Sequence, residues 1–355
     1  MKVTIVGAGN GGSAMAADLS LKGHSVTLFK TSDKGNNEHF KTLIDQNGAI
    51  LLHDLDGVHQ TRIHKVTTSV TEAFSEDPRV VVIFIKTNYH ESVIKRISPY
   101  LKDNQVILLE PGYLSTVYFD KYCPDKNLMI AEAESSPLDC RIVKPGEVKI
   151  LFKNERNPIG IYPSSCKQEA ESILKELDYQ FVLLDSVIEA ALHNPNLIVH
   201  TIGAIMSIPR IEYTDGDYSM YREVFTPSIW NLVEKLDAEK MAVLDHLGHK
   251  KLLYVEACKF RNSKDLNIDA KEVFYDYAQN NSPMGPTISD SRYITEDVPE
   301  GLVLLESLGE YLNIKTPVCT ALIDIASACL DTEFRNIGRT LERFGVSHVK
   351  KILGH

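Results

Sequence analysis

The run Val3-Thr4-Ile5-Val6-Gly7-Ala8-Gly9-Asn10-Gly11-Gly12 constrains this chain more than any other stretch. A short apolar strand signal leads straight into Gly-x-Gly-x-x-Gly, and Ser13-Ala-Met-Ala-Ala-Asp-Leu19 continues in residues that favour a helix. After Gly23-His24 the strand signal returns as Ser25-Val-Thr-Leu-Phe29. Strand, tight turn, helix and return strand make one βαβ unit, and its glycines have separate duties. Gly7 permits the turn, Gly9 lets an anion approach the backbone, and Gly12 lets the helix pack on the strand while its first N–H groups face the anion. Gly7, Gly9, Asn10, Gly11 and Gly12 are therefore expected to cradle the pyrophosphate of a dinucleotide. The alternative is a tight turn without a ligand.

In such units an acidic residue at the end of the second strand commonly holds the adenosine ribose. Lys30 occupies that place, within Lys30-Thr31-Ser32-Asp33-Lys34. Two ammonium groups and two hydroxyls suit a 2′-phosphate, so NADP(H) is the preferred cofactor. NAD(H) stays open, because Lys30 could be a solvated strand end and Asp33 could reach the ribose. Two further loops are candidates for lining the cofactor: the one carrying Lys86, in Lys86-Thr-Asn-Tyr-His90, and Glu110-Pro-Gly-Tyr113.

Apolar runs alternate with helical stretches through the first half, the pattern of a parallel sheet covered by helices on both faces. Strands are expected at Val3–Val6, Ser25–Phe29, Val80–Ile85, Val106–Leu109, Leu128–Ala131, Val148–Phe152, Ile159–Tyr162 and Phe181–Leu184. Asp56-Gly57 sits between two extended segments and predicts an inserted hairpin. After about Asp185 extended runs almost vanish, and Val233–Phe260 and Leu302–Leu312 show helical spacing. The fold class is therefore α/β, a Rossmann-type doubly wound sheet over 1–184 followed by an all-helical domain over 185–355, with a cleft expected between them. A chain of 355 residues suits two domains.

Composition narrows the partners. A net charge of −10 argues against a nucleic-acid backbone binder, and no apolar run reaches the roughly 20 residues that span a bilayer. No secretory signal pattern precedes the first strand, so a cytoplasmic protein is expected. The six cysteines show no C-x-x-C spacing and read as reduced thiols. His53, His59 and His64 lie around the hairpin without helical pairing, and no metal is expected.

Two polar constellations stand out in the second half. Asn194-Pro195 reads as the cap and first turn of a helix, and Asn196 and His200, four residues apart, share one face of an otherwise apolar stretch. The imidazole could act as general acid or base and the amide could orient a ligand, or His200 could be a satisfied core residue. His193 lies across the helix break. In Arg292-Tyr-Ile-Thr-Glu-Asp297-Val-Pro-Glu300, Asp297 and Glu300 have capping-box spacing, so Asp297 reads as an N-cap, a catalytic carboxylate or both. Arg292 offers a fork for a carboxylate, or an exposed salt bridge. In the first half, Glu132 through Arg141 reads as a loop at the carboxyl edge of the sheet, with Glu132 and Arg141 as candidates for the ligand or as surface charges.

Gly7 to Gly12, Glu110-Pro-Gly112, Glu132 through Cys140-Arg141, Asn196-Leu-Ile-Val-His200 and Arg292 through Pro299 together resemble the octopine/nopaline (opine) dehydrogenase family over nearly the whole chain. The resemblance implies NAD(P)H-dependent reductive condensation of an amino acid with a 2-oxo acid. It implies His200 as catalytic acid/base with Asp297 as its carboxylate partner, Arg292 on a substrate carboxylate, Asn196 near the nicotinamide, and a homodimer. Leu138-Asp139, where an aromatic pairing is expected, and Lys86, where relatives carry small or apolar residues, depart from the family pattern. Two other readings remain: a simple ketone reductase of the ketopantoate or glycerol-phosphate type, and a catalytically silent NAD(P)-binding sensor.

Overall fold

The computed structural model describes residues 1–32 and 34–354, so Asp33 lies outside the described residues. The chain divides into two compact units, Met1–Val187 and Ile188–His355.

Among the described residues of the first unit the strands form two sheets. The larger runs β12-β11-β8-β7-β6-β1-β2-β5, from β1 (Lys2–Val6), β2 (Ser25–Phe29), β5 (Lys65–Thr67), β6 (Val80–Ile83), β7 (Val106–Leu109), β8 (Met129–Ala133), β11 (Asn157–Tyr162) and β12 (Phe181–Leu183). β1 pairs in parallel with β2 on one side and β6 on the other, Val3 opposite Val26 and Val80. Chain order reverses there, which makes the carboxyl ends of β1 and β6 the topological switch point where such sheets bind ligands. Every residue of β6 and β7 is buried, as strands covered on both faces require. β11 runs antiparallel to β8 and closes off the parallel run.

The predicted hairpin is β3 (Ala49–Asp54) and β4 (Gly57–Arg62), paired antiparallel around Leu55-Asp56. It belongs to a second sheet, ordered β4-β3-β10-β9, completed by β9 (Leu138–Lys144) and β10 (Glu147–Lys153). The two sheets share one core with the helix Asn10–Leu21, which is buried from Gly12 through Leu19. A helix covered on more than one side has no polar stripe to spare, which is why Ala14-Met-Ala-Ala17 reads apolar all round. Its one buried acid, Asp18, accepts from Tyr179 Oη at 2.7 Å and pairs with Lys22 at 3.1 Å.

The expected loop from Glu132 to Arg141 is corrected: Glu132 lies within β8, and Leu138 onward is β9. Leu138 and Cys140 are buried while Asp139 and Arg141 are not, a period-two pattern too short to stand out beside Ser135-Ser-Pro137.

The second unit is built of helices, with one isolated bridge between Ser219 and Gly285 among its described residues. The long helical stretch expected over Val233–Phe260 is two helices, Pro227–His246 and Tyr254–Asn262, separated by a turn with Gly248 at φ +81°. The stretch Leu302–Leu312 does not start its helix afresh: a π-helical turn, Val298–Leu302, runs directly into Val303–Tyr311. No described helix is long and apolar enough to cross a membrane.

Candidate active site

The glycine turn is formed as its sequence demands. Gly7 has φ +125°, and a Cβ there would lie 2.2 Å from the Phe84 carbonyl oxygen at the end of β6. A Cβ on Gly12 would sit 1.8 Å from the Gly7 carbonyl oxygen, so the helix comes this close to β1 only with glycine. Gly9 differs: among the described residues a Cβ there would meet nothing nearer than the Asn36 side chain at 4.0 Å, leaving an open space over the turn. The helix starts with Ser13 N donating to Gly9 O at 2.9 Å, and no side chain among the described residues caps its end. Open space above uncapped N–H groups is what a pyrophosphate requires. Asn10 is tied down instead, its Oδ1 accepting from Ile142 N of β9 at 2.9 Å.

The loop after β2 departs from expectation. Lys30 is buried, and its ammonium donates to the carbonyls of Ser32 and, at 3.2 Å, Lys34. It therefore closes its own loop and does not reach outward as a phosphate ligand. Arg96, which the sequence reading missed, donates to Thr31 O at 3.0 Å and lies over the Phe29 ring at 5.2 Å. No local signal marks it, because it arrives from the helix His90–Ile97. Lys86 is exposed at the carboxyl end of β6, where its carbonyl accepts from Tyr89 N at 3.0 Å.

Glu132 is fully buried and holds the start of the helix Thr116–Tyr122. It accepts from Leu114 N, from Thr116 N at 3.2 Å and from Thr116 Oγ1 at 2.7 Å. Negative charge at a helix N-terminus is stabilising, so this carboxylate serves the fold. Arg141 stands exposed on the smaller sheet, paired with Asp139 at 3.1 Å. Glu110, at the end of β7, is buried with both carboxyl oxygens lacking a hydrogen-bond partner among the described residues, and burial pushes its pKa well above the usual carboxylate range.

In the helical unit the two constellations meet. Asn194 Oδ1 accepts from Asn196 N at 3.0 Å at the entry to the helix Asn196–Ile205, which carries Asn196 and His200 on one face. His200 Nδ1 lies 2.8 Å from Asp297 Oδ2, and Asp297 is about 1% exposed. An ionised carboxylate accepts only, so Nδ1 carries the proton and Nε2 is the nitrogen left for chemistry. The imidazole keeps about 8% exposure. Its ring is stacked on Tyr293, centroids 3.6 Å apart and planes 6° from parallel, a contact absent from the sequence reading.

The capping box expected at Asp297 is corrected. Asp297 already has helical angles, φ −75° and ψ −25°, and its side chain makes no cap bond. A short helix, Arg292–Thr295, stands immediately before the π-helical turn, and the Asp297 carboxylate is turned to His200 in place of the backbone N–H groups that follow it. Glu300, its expected box partner, forms a buried ion pair with Arg339. Arg292 Nε pairs with Glu296 at 2.9 Å, leaving the guanidinium half exposed and steered by a buried carboxylate. His193 is buried beside Lys240 at 3.4 Å, and burial with that charge pushes its pKa down to about 2, so it stays neutral.

Comparison with known proteins agrees with this division. Residues 183–330 match the alpha-helical domain of NAD/NADP octopine/nopaline dehydrogenases, and residues 3–151 match ketopantoate reductase PanE/ApbA. The chain is 30% identical to an opine dehydrogenase of Arthrobacter sp. (strain 1C) over 351 residues, 97% of this chain and 94% of that one. Octopine dehydrogenase with NADH and L-arginine superposes with a TM-score of 0.81 at 17% identity, covering 100% of this chain and 98% of that one. Yersinopine dehydrogenase with bound NADP+ gives 0.70 at 12%, covering 100% and 95%.

Proposed function

Since the chain belongs to the octopine/nopaline (opine) dehydrogenase family and is thus an NAD(P)-dependent oxidoreductase acting on CH–NH substrates, we propose that it reductively condenses an amino acid with a 2-oxo acid. The observation that carries this reading is the buried His200–Asp297 pair at 2.8 Å. The amine adds to the oxo carbon to give a carbinolamine, whose hydroxyl is a poor leaving group until protonated. Protonated His200 gives its Nε2 proton to that hydroxyl, which departs as water and leaves an iminium. Asp297 holds the ring by Nδ1 and stabilises its charged form, while Arg292, steered by Glu296, takes a substrate carboxylate. Asn196, one helical turn before His200, is assigned to orienting the nicotinamide amide. The dinucleotide, when bound at the glycine turn, supplies the hydride that reduces the iminium carbon to a secondary amine.

For the cofactor we favour NADP(H). The support is the absence of an acid at Lys30 and the presence of Thr31, Ser32, Lys34 and Arg96 around the loop after β2. Arg96→Ala should then weaken NADPH more than NADH in a direct binding titration.

The test is oxidation of NADPH and NADH against pyruvate and other 2-oxo acids, with and without an amino-acid mixture. Oxidation that needs both substrates supports condensation. Oxidation by an oxo acid alone moves the chain to the simple ketone reductases, whose family its residues 3–151 also match. Cofactor binding without turnover on any pairing favours a silent sensor.

A further inference from the structure

Tyr293 lies almost flat on His200, with ring centroids 3.6 Å apart and planes within 6°. At that separation the two rings overlap face to face. Two neutral aromatic rings avoid such a sandwich, because their quadrupoles repel face to face and offset or edge-on packing is preferred. The same phenol face attracts a cation. A protonated imidazole, charged and bound by Asp297 at Nδ1, is drawn to that face more strongly than the neutral ring.

The geometry points to Tyr293 as a positioning residue for His200, holding the ring plane and favouring the imidazolium that delivers the proton. This rests on the reading of His200 as the acid. Tyr293 follows Arg292 on one short helix, so the residue assigned to the substrate carboxylate and the residue stacked on the acid are placed by the same turn.

Several other charged groups on elements around the His200 helix are engaged elsewhere. Arg292 pairs with Glu296 on the turn that carries Tyr293. On the helix Pro227–His246, Lys240 pairs with Asp237 at 2.6 Å and Glu239 accepts from Val318 N and Cys319 N. On the helix Pro317–Leu330, Asp324 pairs with Arg335, and Glu300 of the π-helical turn pairs with Arg339. On Met220–Glu223, Glu223 pairs with Arg210 and Arg222 donates to the carbonyls of Ala278 and Gln279. Asp297 and Tyr293 are the groups seen at the ring itself.

The experiment is a histidine NMR titration of the full chain, with the His200 resonance assigned by its loss in His200→Gln. Tyr293→Leu should lower the His200 pKa by about half to one unit, and Tyr293→Phe, which keeps the aromatic face, should restore it. The alkaline fall of the reductive kcat/KM profile should move with it. If Tyr293→Leu does not fold, as judged by its thermal transition, Tyr293→Met takes its place. An unchanged His200 pKa, or a drop that Phe does not restore, overturns the proposal. Failure of the underlying reading shows separately, as turnover retained in His200→Gln.

Discussion

His200 and Asp297 are 97 residues apart, and their pairing joins two signals that each had an ordinary local explanation. The helical spacing of Asn196 and His200 was legible; for Asp297 the local pattern left an N-cap beside a catalytic carboxylate, and only the family resemblance paired it with His200, because capping-box spacing says nothing of a contact 97 residues away. His200→Ala should leave dinucleotide binding unchanged in a fluorescence titration and lower kcat by about 10²- to 10⁴-fold, the usual worth of a general acid. Asp297→Asn keeps the shape but no longer favours the imidazolium. A loss of kcat of about tenfold or more, with KM changed far less, is expected in steady-state kinetics; wild-type kcat in either variant would remove the pair from the mechanism.

Among the elements, the glycine turn and the Glu132 anchor separate ligand duties from structural ones. Gly12→Ala places a methyl 1.8 Å from a backbone oxygen that cannot yield, so a large fall in the melting temperature is expected. Gly9→Ala meets open space, so the fold should hold while dinucleotide affinity falls at least about tenfold, because the added methyl stands where the anion approaches. Equal melting losses in both variants would refute this division. Glu132→Ala removes the acceptor that gathers Leu114, Thr116 and the start of their helix, and should cost about 1–3 kcal/mol in chemical denaturation. The motif was readable because a turn between adjacent strand and helix is local. Glu132 looked like a ligand residue because the sequence does not show which helix end a strand terminus meets.

For the whole molecule, Glu110 sets a pH dependence. Buried without a hydrogen-bond partner among the described residues, it holds its proton in the folded state at pH values where the unfolded chain has lost it. Between its unfolded pKa and its raised folded one, the folded state binds more protons and stability falls as pH rises. Denaturant midpoints should therefore decline from about pH 5 upward, and Glu110→Gln should flatten that decline and raise the midpoint at pH 8. A variant less stable than the parent at pH 8 would show that the carboxylate has a partner when ionised.

The sequence by itself determined the order of strand, turn and helix, the parallel core built on β1, and the change from α/β to all-helical texture, because each depends on neighbouring residues and a repeating period. Only the tertiary structure decided that β9 and β10 join the early hairpin, that Lys30 turns into its own loop, and that Tyr293 and Asp297 meet His200. Those contacts join segments far apart in the chain or spend a side chain's charge on carbonyls. Packing and desolvation select such pairings, and they leave no period in the sequence.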